Sequence, residues 1–309
     1  MTSPSQLEEF SEHGIGAVVV AYMSAGTIES CVTSCLADPL TTAVVVIDNS
    51  SDRATESIVS AIAQNDCRVR YRAVPNLGFS RGCNLGAAMC DTPWIAFVNP
   101  DVVLDRPLSE LARALDTTSF SVGAGILQTQ GGRAHGINCR LSFSVRRELL
   151  AVAMGPTRVY SPRFALGVDG WTRVGQLAGA LLVMRTATFQ RIGGFDERFE
   201  LYYDDVDLAV NLEAFGGSGL LHVPWGTHFA GQSSRSVPHM SYVVGKVSRV
   251  RFLAKHYSRW RAALAALSIA VTEWAARTLA RRPEGQSARN EALRLQTKEV
   301  FRPGVKVLK

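Results

Sequence analysis

Two β-branched runs near the start of the chain, IGAVVVAY (Ile15–Tyr22) and TAVVVIDNSS (Thr42–Ser51), are apolar at nearly every position and bounded by turn residues. Continuous rather than alternating apolar character predicts strands buried on both faces. Between them, Ile28, Cys31, Val32, Cys35 and Leu36 recur at helical spacing within Thr27–Asp38. The pattern then predicts a helix over about Arg53–Gln64, a strand at Arg68–Val74, a helix around Gly82–Met89 and a strand at Trp94–Val98. Strands alternating with helices at this interval imply βαβ crossovers and a mostly parallel sheet. Ligands bind such sheets at the carboxyl ends of the strands. Three of these four strands end in polar residues: Asp48-Asn49, Asn76 and Asn99-Pro100-Asp101.

The middle of the chain, Gly123–Arg173, is rich in Gly, Arg and Pro and reads as meandering strands and loops. An apolar stretch returns at Val174–Arg185, followed by a glycine turn and a helix beginning near Asp204. Another strand and loop are expected over Gly219–Gly231. Beyond Val243 the pattern is helical, basic and Ala-rich, with apolar Val247, Val250, Phe252 and Leu253. A polar break at Pro283–Asn290 sets off the last segment.

Composition adds one asymmetry. Hydrophobic residues at 47% and charged residues at 19% describe an ordinary globular chain of 309 residues, long enough for one large α/β domain and an appendage. The net charge of +6 is uneven: residues 246–309 hold fifteen Lys/Arg against four Glu, leaving the rest slightly acidic. A basic tail suggests contact with an anionic surface. The six cysteines form no C-x-x-C pair and read as buried free thiols. The N-terminus lacks the basic and apolar regions of a secretory signal, and no apolar run reaches membrane-spanning length.

Four clusters carry candidate chemistry. Asp48-Asn49-Ser50-Ser51 suits an Asx turn and helix cap, or a carboxylate that accepts from a pyrimidine base. NLGFSRGCNLG (Asn76–Gly86) opens like a glycine-rich turn at a helix N-terminus, where free N–H groups and Arg81 would face a pyrophosphate. Its glycines at 78, 82 and 86 equally suit close helix–sheet packing. In Asn99-Pro100-Asp101 the proline fixes the geometry of its neighbours, and one carboxylate with one amide oxygen suits Mg2+ or Mn2+. Asp204-Asp205-Val206-Asp207 opens a helix, where carboxylates favour the dipole. The preceding Leu201, Tyr202 and Tyr203 suggest a partly buried setting that would raise a carboxylate toward a general base's working range. His228 follows a strand.

The ordered set VVVAY, VVVIDNSS, NLGFSRGCNLG, FVNPDV, GALLVMR, GGFDERFELYYDDVDL and HFAGQSS, spread over Ile15–Ser234, resembles the family 2 glycosyltransferases of the GT-A fold, in particular the rhamnosyltransferase-like branch. The resemblance implies a mixed, mostly parallel central sheet flanked by helices, with a C-terminal helical extension. By the same resemblance Ala21, Tyr22 and Asp48 would hold the nucleotide base. Asn76, Gly78, Arg81 and Asn84 would lie along the nucleotide-sugar. Asn99 would head this chain's version of the D-x-D motif, with Asp101 and His228 as metal ligands. Asp205, with Asp204, would be the general base, and Gly179-Ala180 would lie where donor and acceptor meet. Asn99, Asp204 and Asn211 stand where the family more often has Asp, Glu and Arg.

The expected organisation is an extension over 1–13, a catalytic domain over 14–244 divided at 105/106 into nucleotide-binding and acceptor-binding halves, and a basic extension over 245–309. The implied enzyme is an inverting, metal-dependent glycosyltransferase of cell-envelope polysaccharide synthesis. It takes a nucleotide-diphosphate sugar such as dTDP-rhamnose and a glycan or lipid-linked acceptor. It would be cytoplasmic and peripheral at the inner membrane face through 246–282, with a homodimer allowed and no nucleic acid expected. The rival reading is a non-catalytic nucleotide-sugar-binding or scaffold protein of a glycan-assembly complex.

Overall fold

In the computed structural model, the described residues are 14–133, 138–142, 170–229 and 238–257, with isolated positions beyond. The parallel half follows the expected alternation. Strands β1 (Ile15–Ala21), β2 (Thr41–Asp48), β3 (Val69–Ala73) and β4 (Trp94–Val98) are joined by helices α1 (Ile28–Leu36), α2 (Arg53–Asn65) and α3 (Phe79–Ala87). Then come β5 (Val102–Leu104), α4 (Leu108–Asp116), β6 (Val122–Gln128), β7 (Cys139–Arg140), β8 (Trp171–Val174), β9 (Gln176–Leu177) and β10 (Leu181–Arg185). Helices α5 (Thr186–Arg191) and α6 (Asp204–Leu212), a 3-10 turn at Glu213–Phe215, strand β11 (Ser218–His228) and helix α7 (Pro238–His256) complete the described elements.

The main sheet runs β3-β2-β1-β4-β10-β6-β11-β5, with β8 on β11; β7 and β9 form a separate ribbon. Strands β3, β2, β1 and β4 are parallel, whereas β10 is antiparallel to both β4 and β6. In this order the chain reverses direction of winding between β1 and β4, the place where open α/β sheets bind ligands. Register brings the relevant ends to one rim: Ala21 pairs with Asp48, Asp48 with Ala73, and Val98 with Leu181. Every residue of β1 and β4 is buried, as strands covered on both faces should be.

Helix α7 departs from the expected domain boundary. It crosses position 244/245 and buries Val243, Val244, Val247, Val250, Phe252 and Leu253 completely. The beginning of the basic extension is therefore packed into the folded body, because its apolar stripe covers the segment leading into α6. The expected extension over 1–13, most of 143–169 and nearly all of 258–309 lie outside the described residues.

Candidate active site

At the rim, the ends of β1 and β2 are stitched together: Asn49 N–H donates to the Ala21 carbonyl at 2.9 Å, and Met23 N–H to Ser50 Oγ at 3.0 Å. Tyr22 lies on this turn, its N–H donating to Ser24 Oγ at 3.1 Å. Asp48 is fully buried, and its carboxylate accepts from Ser50 N–H and Oγ–H, Asp52 N–H and Tyr71 O–H, at 2.6–3.2 Å. In this arrangement the Asp48 side chain holds the loop rather than facing outward. The helix cap falls to Asp52, whose carboxylate accepts from Ala54 and Thr55 N–H groups.

Helix α3 begins earlier than expected, at Phe79, and its first N–H is already engaged. Phe79 N–H donates to the Glu200 carbonyl at 2.6 Å, and Ser80 Oγ to the Phe199 carbonyl at 2.5 Å. Of the N–H groups expected to await a pyrophosphate at that turn, the segment before α6 takes the first, that of Phe79. Gly78 has φ +83°, and a Cβ there would lie 2.6 Å from the Glu200 carbonyl oxygen, so only glycine fits. Gly82 and Gly86 face Val20 and Val18 of β1 with no room for a side chain, the close-packing reading of the repeat. Asn76 Oδ1 accepts from Gly78 N–H at 3.3 Å, a local turn contact.

Asn84 is also placed differently from the sequence expectation. Its amide pairs bidentately with the Phe195 backbone, at 2.9 Å in each direction, and also reaches Glu197. Both of its N–H donors are thereby used to fasten α3 to the Gly193–Glu197 turn, leaving none for a sugar nucleotide. Arg81 lies half-exposed, 3.5 Å from Glu197.

The Asn99-Pro100-Asp101 turn links β4 to β5, and β5 pairs antiparallel with β11 so that Val102 stands opposite His228. That register brings His228 Nε2 to 3.1 Å from Asp101 Oδ1, across 127 residues of sequence. Phe229 N–H closes the corner on the Asp101 carbonyl at 2.9 Å. A carboxylate beside an imidazole suits a divalent ion that takes its other ligands from diphosphate and water. Among the described residues no group of three or more His, Cys, Asp or Glu assembles into an all-protein cage. The donor set thus fits an ion shared with a substrate.

On the other side of the rim, Asn99 N–H donates to the Ala180 carbonyl at 3.0 Å, and Gly179 N–H donates to Asp205 Oδ2 at 3.3 Å. Residues 179–180 therefore connect the two clusters directly. Gly179 stands between Phe79 and the pair Asp204 and Asp205. Burial, the larger cause, raises the Asp205 carboxyl, and it is opposed by Arg140, by the Gln176 side chain and by the Gly179 and Val206 N–H groups. Asp204 is raised well above the ordinary carboxylate range by burial first and by the Asp205 charge second. Arg140 and Gln176 face each other across the β7–β9 ribbon. They were missed in the sequence because their elements are two residues long and carry no periodicity.

A doubly wound parallel half joined through an antiparallel strand to an acidic helix is the architecture of the GT-A glycosyltransferases. Residues 17–167 of the chain match Glycosyl transferase family 2. It is 28% identical over 275 residues to N-acetylglucosaminyl-diphospho-decaprenol L-rhamnosyltransferase of Mycobacterium tuberculosis (strain ATCC 25618 / H37Rv), covering 79% of this chain and 85% of that one. It is 22% identical over 223 residues to Rhamnosyltransferase WbbL of Escherichia coli (strain K12), covering 69% and 82%. Among solved structures it is similar in fold to the mannosyltransferase PcManGT from Pyrobaculum calidifontis, in complex with GDP-Man and Mn2+. The TM-score is 0.54 at 13% identity, with 94% of this chain and 87% of that chain covered. These similarities support a glycosyltransferase enzyme.

Proposed function

We propose that the chain transfers a sugar, L-rhamnose in the first instance, from a nucleotide-diphosphate donor to a glycan or polyprenyl-diphosphate-linked acceptor in cell-envelope polysaccharide synthesis. The rhamnosyltransferase names of two relatives support the donor sugar, and the decaprenol in one of those names supports a lipid-linked acceptor. The observation that carries the mechanism is the bridge at 179–180, which ties the partly buried Asp205 carboxylate to the head of the Asn99–Asp101 turn.

Asp205 takes the proton of the acceptor hydroxyl as that oxygen forms its bond to the anomeric carbon. The bond from that carbon to the diphosphate oxygen breaks on the opposite face, and the nucleoside diphosphate leaves with the electron pair. One such displacement inverts the anomeric centre. A raised carboxyl suits this role, because a base poised nearer neutrality accepts the proton more readily. Asp101 and His228 would hold Mg2+ or Mn2+, which when bound neutralises charge on the departing diphosphate. Gln176, Arg140 and the Gly179 N–H keep the base ionised and aimed.

Among the described residues no helix is long and apolar enough to cross a membrane. Beyond α7, however, the helical positions Trp260, Leu264, Leu267 and Val271 are all exposed and recur at intervals of four, three and four, which is one face of a helix. Within the basic stretch 246–282 this stripe supports docking on an anionic lipid surface. Flotation with anionic but not neutral liposomes is expected; no flotation, or equal flotation with both, rejects it.

The enzymatic reading is tested by nucleoside diphosphate release from a panel of nucleotide-sugars with Mg2+, Mn2+ or EDTA. Wild type is expected to turn over a dTDP-sugar only with metal, and Asp205→Asn to lose about 100- to 10,000-fold in turnover while still binding donor. An Asp205→Asn protein with wild-type turnover refutes the assignment.

A further inference from the structure

Asp207, in the first turn of α6, takes no part in the displacement above, yet it is the most heavily bonded carboxylate of that helix. It is 1% exposed. Lys255 Nζ lies 2.7 Å from its Oδ1 and 2.8 Å from its Oδ2. His256 Nε2 lies 2.6 Å from Oδ1, and Asn211 Nδ2 donates to Oδ2 at 3.2 Å. Both residues come from the last turn of α7, 48 and 49 residues downstream.

The same helix supports the entry to α6. Tyr202 and Tyr203 are consecutive left-handed residues, with φ of 62° and 65°. Side chains larger than glycine disfavour this region, and it persists only where the surroundings enforce it. Here α7 supplies those surroundings. Ser248 Oγ donates to the Leu201 carbonyl at 2.9 Å, and Gly245 leaves room for the Tyr202 ring, where a Cβ would come within 3.2 Å. The Phe252 ring centroid stands 5.6 Å from that of Tyr203.

We propose that Lys255, assisted by His256, is a positioning residue for the transfer: by clamping Asp207 it fixes the first turn of α6 and with it the Asp205 carboxylate against Gly179. The reading rests on Asp205 as the base. Three carboxylates, Asp204, Asp205 and Asp207, share that first turn, and like charges at such spacing repel. A cation is needed there. Position 211 is four residues on from Asp207, where an arginine on the same helix would serve, but this chain has asparagine and brings Lys255 from α7 instead.

The experiment compares wild type, Lys255→Met and the double variant Lys255→Met/Asn211→Arg in kcat, donor KM and melting midpoint. The single variant is expected to lose about tenfold or more in kcat with donor KM changed less than about twofold, because a displaced base costs turnover rather than donor binding. The double variant, with a cation returned to Asp207 from its own helix, is expected to recover most of that loss. Wild-type kcat per folded molecule in Lys255→Met overturns the proposal, as does a double variant that regains its melting midpoint but not its kcat. If Lys255→Met does not fold, Lys255→Gln/Asn211→Arg against Lys255→Gln gives the same comparison with the same outcomes. Asp205→Asn measured alongside separates the two levels: wild-type turnover there refutes the base itself, independently of Lys255.

Discussion

Helices α3 and α6 both bring candidate site residues to the same rim, but they are held there by opposite means. Helix α3 lies against β1 because Gly82 and Gly86 have no side chains, so Val20 and Val18 occupy the space a Cβ would need. Helix α6 is held from outside, by Phe252, Lys255 and His256 of α7 and by the ribbon carrying Arg140 and Gln176. The first device is direct contact of helix backbone with strand side chains. The second depends on side-chain pairs and rings supplied by other elements, so the acidic side of the site is only as well placed as the packing of α7.

The largest effect that would test this contrast is Phe252→Ala. Phe252 is fully buried with Phe199 and Val206, so truncation is expected to cost about 3–5 kcal/mol by denaturant unfolding. A cost under about 1 kcal/mol, outside the range for such truncations, would mean that α7 does not share the cooperative unit and that the contrast fails. On the other side, Gly86→Val forces branched carbons against Val18 and is expected to cost about 1–3 kcal/mol. Wild-type stability in that variant would show that α3 is not gripped by its glycines.

The contrast also separates what the sequence makes legible from what it hides. The parallel half was readable because β-branched runs and helical spacing are local signals, and each strand end then exposes its polar residues. The interval of four between Gly82 and Gly86 fitted two explanations, and only the position of Val18 and Val20 decides between them. Asn84 looked like a ligand-facing amide because the Phe195 backbone that consumes it lies 111 residues on. The Asp101–His228 pair depends on the register of β5 against β11, and Lys255 on Asp207 depends on how α7 folds back. No periodicity in a one-dimensional chain encodes either.

A smaller effect concerns the charge crowded onto α6. Asp204 is raised in the folded protein, chiefly by burial, so the folded state binds its proton more tightly than the unfolded chain does. Above the unfolded value of about 4 this carboxyl therefore costs stability, increasingly until the pH passes the folded value. Asp204→Asn is expected to raise the melting midpoint at pH 7, with the gain fading as pH falls toward 4. A melting midpoint at pH 7 at or below the wild-type value would mean that the acidic turn is not under the electrostatic load that Lys255 is proposed to relieve.

The smallest expected change in stability gives the most specific reading of α3. Gly82 and Gly86 face the sheet, Phe79 N–H and Ser80 Oγ are spent on residues 199–200, and Asn84 is spent on Phe195. If α3 touches the donor through a side chain, Arg81 is the remaining cation. Its only competing contact among the described residues is the half-exposed pair with Glu197 at 3.5 Å. Losing such a surface pair costs less than about 1 kcal/mol, so Arg81→Ala is expected to fold as the wild type does. Loss of a guanidinium from a diphosphate is expected to raise donor KM about three- to tenfold with kcat unchanged, since the contact exists in both ground and transition states. An unchanged KM would return Arg81 to the surface pair and make α3 purely a spacer, leaving Asp101, His228 and the turn at 21–24 as the donor's contacts.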